Sequence, residues 1–293
     1  MSAATSRYDR NVRLFGEEGQ ARLLATRVAI AGVGGLGSPI AQHLALLGVG
    51  AIALIEPEEL DDTNRNRFIG ARQDDPVPGS RKVDLVERLI AGINLDILVE
   101  KIPHPLVSAQ AFAAIKKSHW VIGCFDHDGP RHILNELCSA YSIPYIDLAS
   151  DVLAGAYGGH ICVSQGGNGC LSCLDLLDRV TVRHYLDTAR DREAEKEIYG
   201  VNRELLNNKG PSVSPINGVV ASVGAMEFMV AVTGMRAARR LLQFRGHDSK
   251  LTVSSDQPSA DCYYCTGLRG TKEAAAVERY LDLEIFKGPQ IKP

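Results

Sequence analysis

The sequence has 293 residues, of which 45% are hydrophobic and 23% are charged, and its formal net charge is −3. This composition is typical of a globular protein and excludes a disordered chain, a coiled coil and a collagen-like fibre. The small net charge does not favour nucleic acid or an anionic membrane as the partner. The length fits one large α/β domain or two small ones.

The cellular location is predicted from the N-terminus, the apolar stretches and the cysteines. The first twenty residues contain no apolar segment of the kind found in secretory signals. The most apolar stretch, 28–55, is interrupted by glycines and contains His43, so we do not expect it to span a membrane. Seven cysteines are too few for a disulfide scaffold, and their odd number argues against complete pairing. We therefore expect a cytoplasmic protein.

Between residues 28 and 150, apolar runs rich in β-branched residues alternate with segments of helical periodicity. The apolar runs predict strands at 28–33, 51–55, 97–102, 119–124 and 143–149. The periodic segments predict helices at 40–47, 82–94, 110–117 and 130–141. This alternation is typical of an α/β fold with a Rossmann-like, mostly parallel sheet and helices on both faces.

The pattern changes after residue 150. Residues 156–164 alternate between polar and apolar, which predicts an antiparallel extension of the sheet. Residues 175–209 carry dense charge of both signs and are interpreted either as an exposed crossover or lid, or as a solvated helix face without a role. Residues 216–234 are small and apolar, with Glu227 the only charge, and predict a buried helix that ends at Gly234.

No repeat or linker divides the chain, so we expect a single domain over residues 1–293. Within it we distinguish four parts in chain order. They are an N-terminal helical arm (1–27), a nucleotide-binding core (28–155), a partner-binding half (156–265) and a C-terminal tail (266–293).

A glycine-rich segment lies between the first predicted strand and the first predicted helix. Gly32, Gly34 and Gly37 form a G-x-G-x-x-G pattern that also contains Gly35. Such a loop lets the backbone approach a phosphate at a helix N-terminus. Glu56 ends the second strand, where a carboxylate can accept hydrogen bonds from a ribose. Alone, this pattern predicts a nucleotide site with NAD or FAD as the default ligand.

The residues that follow the second and fourth strands favour a triphosphate instead. Carboxylates can hold magnesium, and Asn and Arg side chains can bind phosphates. Lys82 opens the next helix and either reaches back to a phosphate or is a surface lysine without a role. Asp126 follows the fourth strand and is either a magnesium ligand or a helix cap. The acidic and polar residues after the second strand are Glu56, Glu58, Asp61, Asp62, Asn64 and Arg67.

Two CxxC pairs lie far apart in the sequence, at Cys170/Cys173 and Cys262/Cys265. Each pair can offer two thiolates to a tetrahedral ion, and a closed four-sulfur site holds zinc without an open position for water. We therefore predict a structural zinc site, with a redox centre or unrelated thiols as the alternatives. The other three cysteines are expected to be core residues (Cys138 and Cys162) or a packed residue near the nucleotide crevice (Cys124).

In combination, these motifs resemble the ThiF/MoeB/HesA-type activating enzymes, which share their adenylation fold with ubiquitin-activating enzymes. The resemblance extends from about Arg7 to Cys265, nearly the whole chain. It is carried by the segment RYDRN (7–11), the glycine loop AGVGGLGS (31–38), Asn64 with Arg67, Lys82, Asp126 with Arg131, residues 210–229 and the two CxxC pairs.

This resemblance implies an enzyme that binds ATP and Mg²⁺ together with the C-terminal Gly-Gly tail of a ubiquitin-like or sulfur-carrier protein. The terminal carboxylate attacks the α-phosphorus, which gives an acyl-adenylate and pyrophosphate. Asp126 would then hold the magnesium, and Glu56 would bind the ribose. Arg10 corresponds to an arginine offered to the neighbouring subunit's ATP, which implies a homodimer. The implied phosphate-binding residues are Asn64, Arg67 and Lys82.

Several positions depart from the family pattern. Glu56 stands where Asp is usual, and His127 stands where Asn usually follows the catalytic Asp. Residues 174–261 contain no cysteine, so we expect the reaction to stop at the adenylate without a thioester on this chain. The alternatives are adenylation of a peptide or small carboxylate, an NAD- or FAD-dependent oxidoreductase, and a scaffold protein without catalysis.

Overall fold

The computed structural model describes residues 7–153, 156–187 and 211–287. In these ranges the strands are β1 (Arg27–Ala31), β2 (Ala51–Ile55), β3 (Leu98–Ile102), β4 (Trp120–Gly123), β5 (Tyr145–Leu153), β6 (Ala156–Ser164), β7 (Leu241–Arg245) and β8 (Lys250–Val253). The α-helices are α1 (Asp9–Leu24), α2 (Gly37–Leu47), α3 (Lys82–Ile93), α4 (Ala109–Lys116), α5 (Asp128–Ala140), α6 (Arg179–Leu186), α7 (Ser214–Thr233) and α8 (Arg279–Asp282).

All eight strands belong to one sheet, in the order β3-β2-β1-β4-β5-β6-β7-β8. The pairs from β3 to β5 are parallel, and those from β5 to β8 are antiparallel. The chain runs from β1 outward to β3 and then returns to place β4 on the other side of β1. The strand order therefore reverses between β1 and β4, and this reversal opens a crevice above their carboxyl ends. The predicted Rossmann-like sheet with an antiparallel extension is confirmed.

Two apolar layers cover the sheet because its inner parallel strands β1, β2 and β4 are apolar at consecutive positions. In β1, Val28 and Ile30 face one core, and Ala29 and Ala31 face the other. The first core lies against α1, α2, α3 and α7, and the second lies against α4, α5 and the C-terminal segment. Burying each large aliphatic side chain contributes about 1.5–3 kcal/mol, so both layers hold the strands that carry the crevice.

Helix α7 is the buried helix that the sequence predicts. It packs against α1, α2, β5 and β6, and it ends at Gly234, whose φ of 78° closes the last turn in the left-handed conformation. Glu227, buried at 1% exposure, accepts hydrogen bonds from both terminal nitrogens of Arg236 and from the backbone N–H of Arg239. By length and composition alone α7 could cross a membrane, but 56% of its apolar window is buried inside the fold.

The segment after the second CxxC pair continues to pack on the domain as far as residue 287. Val277 and Tyr280 are buried in the second core. The Tyr280 hydroxyl donates to Glu136 Oε2 at 2.7 Å, and the Arg279 guanidinium lies 2.7 Å from Glu136 Oε1. Much of the predicted C-terminal tail is therefore an ordered part of the second layer.

Candidate nucleotide site and cysteine centre

The two loops that carry the predicted nucleotide residues meet at the reversal of the strand order. The backbone N–H of Cys124 donates to Ala31 O at 2.8 Å, and the N–H of Gly32 donates to Ile55 O at 3.0 Å. These bonds extend the ladder past the ends of β1, β2 and β4. The glycine loop after β1 and Asp126 after β4 therefore leave the sheet side by side.

The glycines of the loop fit close backbone packing and an open ligand face. Gly32 has a φ of +87°, and a Cβ there would lie 2.9 Å from the backbone oxygen of Cys124. A Cβ on Gly37 would lie 2.1 Å from Gly32 O, so α2 starts directly against the loop. A Cβ on Gly34 would meet no protein atom within 4 Å. The Gly34 side of the loop therefore leaves room for a phosphate at the N-terminus of α2.

Glu56 holds the glycine loop in place from the end of β2. Its Oε2 accepts from the Val33 backbone N–H at 2.9 Å, and its Oε1 accepts from the Glu58 N–H at 3.1 Å. The residue is 8% exposed. Burial raises the pKa of Glu56, and the nearby Lys82 charge opposes this only in part. The sequence predicts that Glu56 binds a ribose, and the structure shows that Glu56 also fixes the glycine loop through Val33.

Lys82 is buried at the start of α3, with 5% exposure. Its Nζ lies 2.5 Å from Glu58 Oε2. A buried ammonium needs a counter-charge, and Glu58 supplies it in this structure. Lys82 therefore already has a carboxylate partner in Glu58, and a bound phosphate would have to compete with Glu58 for its ammonium group.

Part of the acidic run stabilises its own loop. Asp61 caps the 3-10 turn Asp62–Asn64, and its Oδ1 accepts from the Thr63 N–H at 2.8 Å. Asn64 Oδ1 accepts from the Asp61 N–H at 3.2 Å, which completes a capping box. Asp62 Oδ1 pairs with Arg65 Nε at 2.8 Å. These contacts account for much of the acid-rich sequence without a metal ion.

Arg67 joins this turn to the glycine loop. Its Nη1 donates to Thr63 O at 2.6 Å and to Asn66 Oδ1 at 3.1 Å. A Cβ on Gly35 would lie 3.1 Å from Arg67 Cδ, so the aliphatic part of Arg67 covers Gly35. Arg67 as a whole is half-buried, and its stem lies against the loop that would hold phosphates. Guanidinium groups bind phosphate oxygens well, so this position fits the predicted role.

Asp126 and Asp128 follow the same strand but have different surroundings. The Asp126 side chain is 77% exposed at the crevice, and His127 Nε2 lies 4.0 Å from its Oδ1. Asp128 Oδ1 accepts from Arg131 at 2.5 Å, and its Oδ2 accepts from the Asp178 N–H at 2.8 Å. Asp126 therefore offers an exposed carboxylate for a cation, whereas Asp128 is occupied by internal contacts.

Arg131 belongs to a buried polar network below the crevice. Its Nη2 donates to Asp147 Oδ2 at 2.6 Å, and the Tyr145 hydroxyl donates to Asp147 Oδ1 at 2.7 Å. His160 Nε2 lies 3.3 Å from Asp147 Oδ2. Burial alone would raise the pKa of Asp147, but Arg131 and His160 more than offset this and hold it well below its usual value. The arginine matched to the family pattern is thus buried, with Asp147 and Asp128 as its acidic partners.

The three cysteines outside the CxxC pairs are buried. Burial raises the pKa of the Cys124, Cys138 and Cys162 thiols well above the ordinary value. A thiol held in its neutral form is a poor nucleophile. Cys124 touches the crevice through its backbone and packs its side chain inside, as the sequence predicts.

The two CxxC pairs come together from distant parts of the chain. The four Sγ atoms lie within 4.8 Å of one another. Cys170 Sγ lies 3.7 Å from Cys262 Sγ, and Cys173 Sγ lies 3.8 Å from Cys265 Sγ. Four sulfurs at about 2.3 Å from a tetrahedral zinc ion are about 3.8 Å apart, so the cluster fits this ion. The Cys170 N–H also donates to Cys173 Sγ at 3.2 Å.

Arg10 and the charged crossover lie away from the glycine loop in sequence. Arg10 is exposed on α1. The described beginning of the crossover forms α6, and Tyr185 covers Gly129 at the start of α5, where a Cβ would lie 2.1 Å from its ring. Residues 188–209 of the predicted crossover lie outside the described residues. Arg10 as a partner-subunit ligand stays a prediction.

One residue of the crevice was missed by the sequence analysis. Asn217, in the first turn of α7, is 2% exposed and donates through Nδ2 to Ser212 Oγ at 3.1 Å. A Cβ on Gly35 would lie 2.6 Å from this Nδ2. The signal was present, since Asn217 is an amide in an otherwise small and apolar helix.

Comparison with known sequences agrees with this geometry. The profile of the ThiF family matches residues 8–264. Protein HesA, vegetative, from Trichormus variabilis is 29% identical over 270 residues, which cover 90% of this chain and 90% of that protein. The SAMP-activating enzyme E1 of Haloferax volcanii is 31% identical over 142 residues, 48% of this chain and 52% of that protein. The adenylyltransferase and sulfurtransferase MOCS3-1 of Zea mays is 26% identical over 264 residues, 88% of this chain and 51% of that protein. The alignments thus span about half the length of the last two relatives.

Comparison with solved structures shows the same fold. A crystal structure of E. coli MccB with MccA-N7isoASN aligns with a TM-score of 0.70 at 20% identity. It covers 88% of this chain and 74% of MccB. Since the family profile spans nearly the whole chain and the folds agree, the protein belongs to the ThiF family.

Proposed function

We propose that this ThiF-family adenylyltransferase uses ATP and Mg²⁺ to adenylate the C-terminal carboxylate of a ubiquitin-like or sulfur-carrier protein that ends in Gly-Gly. One observation supports this most directly. A glycine loop with an open face at Gly34, the Arg67 side chain against Gly35 and the exposed Asp126 carboxylate share one crevice. A phosphate cradle, a cation for phosphate and a carboxylate for a metal suit triphosphate chemistry better than hydride transfer.

The proposed reaction makes modest demands on the protein. The substrate carboxylate is already ionised, so its oxygen forms the new bond to the α-phosphorus without a general base. The bond between the α-phosphorus and the bridging oxygen breaks, and pyrophosphate leaves with the electron pair. The site must hold the carboxylate in line and neutralise phosphate charge. The glycine loop and Arg67 serve these tasks, and magnesium held by Asp126 would neutralise phosphate oxygens.

Glu56, Glu58, Lys82 and Asn64 contribute the rest of the nucleotide site in this proposal. Glu56 fixes the loop through Val33 and would accept from the ribose with its remaining lone pairs. Lys82 would shift its contact from Glu58 towards a phosphate when ATP binds. Asn64 Oδ1 is used by the capping box, which leaves its amide nitrogen as the group for a phosphate oxygen.

The proposed reaction ends at the acyl-adenylate on this chain. Residues 174–261 contain no cysteine, and the Cys124 thiol is buried with a raised pKa. A separate sulfur donor or amine would then take the acyl group from the adenylate. We further propose a homodimer in which the exposed Arg10 of one protomer reaches the ATP of the other.

A second candidate substrate is the carboxylate of a short peptide. The fold match to MccB crystallised with MccA favours this alternative. Both candidates share the adenylation step and differ only in the size of the acyl partner.

Substrate-dependent exchange of labelled pyrophosphate into ATP tests the proposal. Small proteins encoded beside this chain that end in Gly-Gly are compared with matched forms in which the terminal carboxylate is amidated. We expect exchange with a free carboxylate, none with the amide, and an acyl-AMP product by mass spectrometry. A wild-type protein that binds no ATP, or that releases ADP and phosphate instead of pyrophosphate, would contradict the proposal.

A further inference from the structure

The side-chain amide of Asn217 is only half satisfied. The residue is 2% exposed, and its Nδ2 donates to Ser212 Oγ at 3.1 Å. Its Oδ1 is buried and has no hydrogen-bond partner among the residues that the structure describes. A buried acceptor without a donor costs free energy that a leucine of similar shape would not cost. The orphaned oxygen therefore needs an explanation.

The amide lies in the nucleotide crevice. A Cβ on Gly35 would lie 2.6 Å from Asn217 Nδ2 and 3.1 Å from Arg67 Cδ, so both side chains cover the same glycine. Oδ1 shares its carbon atom with Nδ2 and thus lies at the same junction. Asn66 connects the two side chains that cover Gly35. Its Nδ2 donates to Ser212 O at 3.4 Å, and its Oδ1 accepts from Arg67.

The chemistry of the orphaned atom restricts its ligand. A carbonyl oxygen accepts and needs an N–H or O–H donor. The triphosphate of ATP offers acceptors only at this end of the crevice. The ribose hydroxyls are donors, but the predicted ribose acceptor is Glu56 at the end of β2. The adenine amino group is also a donor, but the ribose separates it from the triphosphate, so it lies away from the glycine loop. The remaining donor is a group on the acyl substrate close to the carboxylate that meets the α-phosphate.

We infer that Asn217 Oδ1 accepts a hydrogen bond from the last backbone N–H of the acyl substrate. This assignment rests on the proposed function and narrows it. The substrate carboxylate then follows a secondary amide, as at the C-terminus of a peptide or protein. A simple aliphatic acid, or a chain that ends in proline or an N-methylated residue, lacks this donor and is disfavoured.

Binding of stable acyl-adenylate analogues tests the inference without knowledge of the natural partner. Glycyl-glycyl-sulfamoyladenosine carries the N–H, and glycyl-sarcosyl-sulfamoyladenosine replaces it with N-methyl. By calorimetry, the wild type should bind the first analogue about tenfold more tightly than the second, the usual effect of leaving a buried acceptor unpaired. In Asn217→Leu this preference should vanish, mainly through weaker binding of the first analogue.

Two controls separate specificity from structure. Gln243→Leu changes an exposed amide on β7, outside this junction, and should keep the tenfold preference. Asn217→Leu removes the hydrogen bond to Ser212, but Ser212 is half-buried and its hydroxyl can bond water instead. Because an unpaired buried acceptor is removed as well, the variant should unfold at a temperature no lower than that of the wild type without ligand. A lower unfolding temperature would show that Asn217 acts as a structural residue and would overturn the inference.

The remaining outcomes are also distinct. Equal binding of both analogues by the wild type, or a preference that survives in Asn217→Leu, would overturn the inference and leave adenylation intact. If the Asn217→Leu substitution instead abolishes the preference for ATP over 3′-deoxy-ATP, the donor is a ribose hydroxyl and the acyl assignment is wrong. Failure of the wild type to bind either analogue or ATP would contradict the proposed function itself.

Discussion

The two halves of the sheet use polar side chains in different ways. Around β1, β2 and β4, the Asp126 carboxylate is 77% exposed and Arg67 is half-buried at the crevice. Around β5 and β6, Asp147 is fully buried and receives hydrogen bonds from Arg131 and Tyr145. Further along, four thiols face one another at zinc-binding distances.

This difference in exposure and hydrogen bonding distinguishes the residues that we expect to bind ligands from those that we expect to stabilise the fold. Replacing a polar group that is exposed in a crevice and has few partners within the protein changes the free energy of unfolding little. Such a replacement does remove a contact with the ligand. Polar groups that are saturated inside the fold leave an uncompensated partner when they are replaced. Activity should therefore be most sensitive to substitutions around β1, β2 and β4, and stability should be most sensitive to substitutions around β5 and β6.

Asp126 gives the largest expected effect on activity. Asp126→Asn should lower pyrophosphate exchange about 10³-fold, because the removal of one charged contact to the transition state costs at least about 10²-fold and the metal depends on this carboxylate. The unfolding temperature should change little. Asp128→Asn, two residues away, is the matched control and should lose stability through Arg131 and Asp178 more than it loses activity. The reverse ranking of the two variants would contradict the distinction between exposed carboxylates that bind ligands and saturated carboxylates that stabilise the fold.

Asp147 gives the largest expected effect on stability. Asp147→Ala should lower the free energy of unfolding by about 3 kcal/mol, because it removes the fully buried carboxylate that pairs with Arg131 and leaves Asp128 as the remaining acidic partner of this buried charge. Chemical denaturation measures this loss. Because the pKa of Asp147 in the folded protein lies below its ordinary 3.8, its stabilisation is present above about pH 4 and is lost as the pH falls below that value. A wild-type stability that rose on acidification through this range would argue against the network.

The cysteine centre should hold one zinc ion per chain, measured by elemental analysis. Removal of the ion by a strong chelator, or Cys265→Ser, should lower the free energy of unfolding by about 2–3 kcal/mol, similar to the loss of a covalent cross-link over a long loop. Binding of ATP should persist, since the centre lies in the other half of the sheet. A chain that binds no zinc and is equally stable with chelator would refute the metal assignment.

Cys124 gives the smallest expected effect. Cys124→Ala should change pyrophosphate exchange less than about threefold, because its neutral buried thiol takes no part in adenylation. When the wild type is incubated with ATP and substrate, no thioester between the enzyme and the substrate should form, that is, no covalent conjugate that an added thiol cleaves. A thioester lost in Cys124→Ala would show that the reaction proceeds beyond the adenylate on this chain.

The fold was predictable because parallel strands buried on both faces are apolar at every position, as in 51–55, and alternate with helices of regular period. The glycine loop and the CxxC pairs were also predictable, since their chemistry depends on residue type and spacing. The use of Asp61 and Asp62 in a turn, and the pairing of Lys82 with Glu58, depend on local geometry that charge patterns do not encode.

Asn217 and the C-terminal segment escaped prediction for a different reason. Their contacts join residues far apart in sequence, such as Asn217 with Gly35 and Tyr280 with Glu136. A lone amide such as Asn217 and a short C-terminal segment have little periodic context, so a sequence pattern gives no contact partner for either. Such contacts become visible only when the chain is folded.

A crystal structure with the uncleavable analogue α,β-methylene-ATP and Mg²⁺ tests the central claim most directly. We expect the triphosphate along Gly34 and Gly35, with Arg67 on its oxygens and magnesium on Asp126. A nucleotide bound elsewhere, or NAD in this crevice with Arg67 and Lys82 turned away from its phosphates, would contradict the assignment of this site to adenylation.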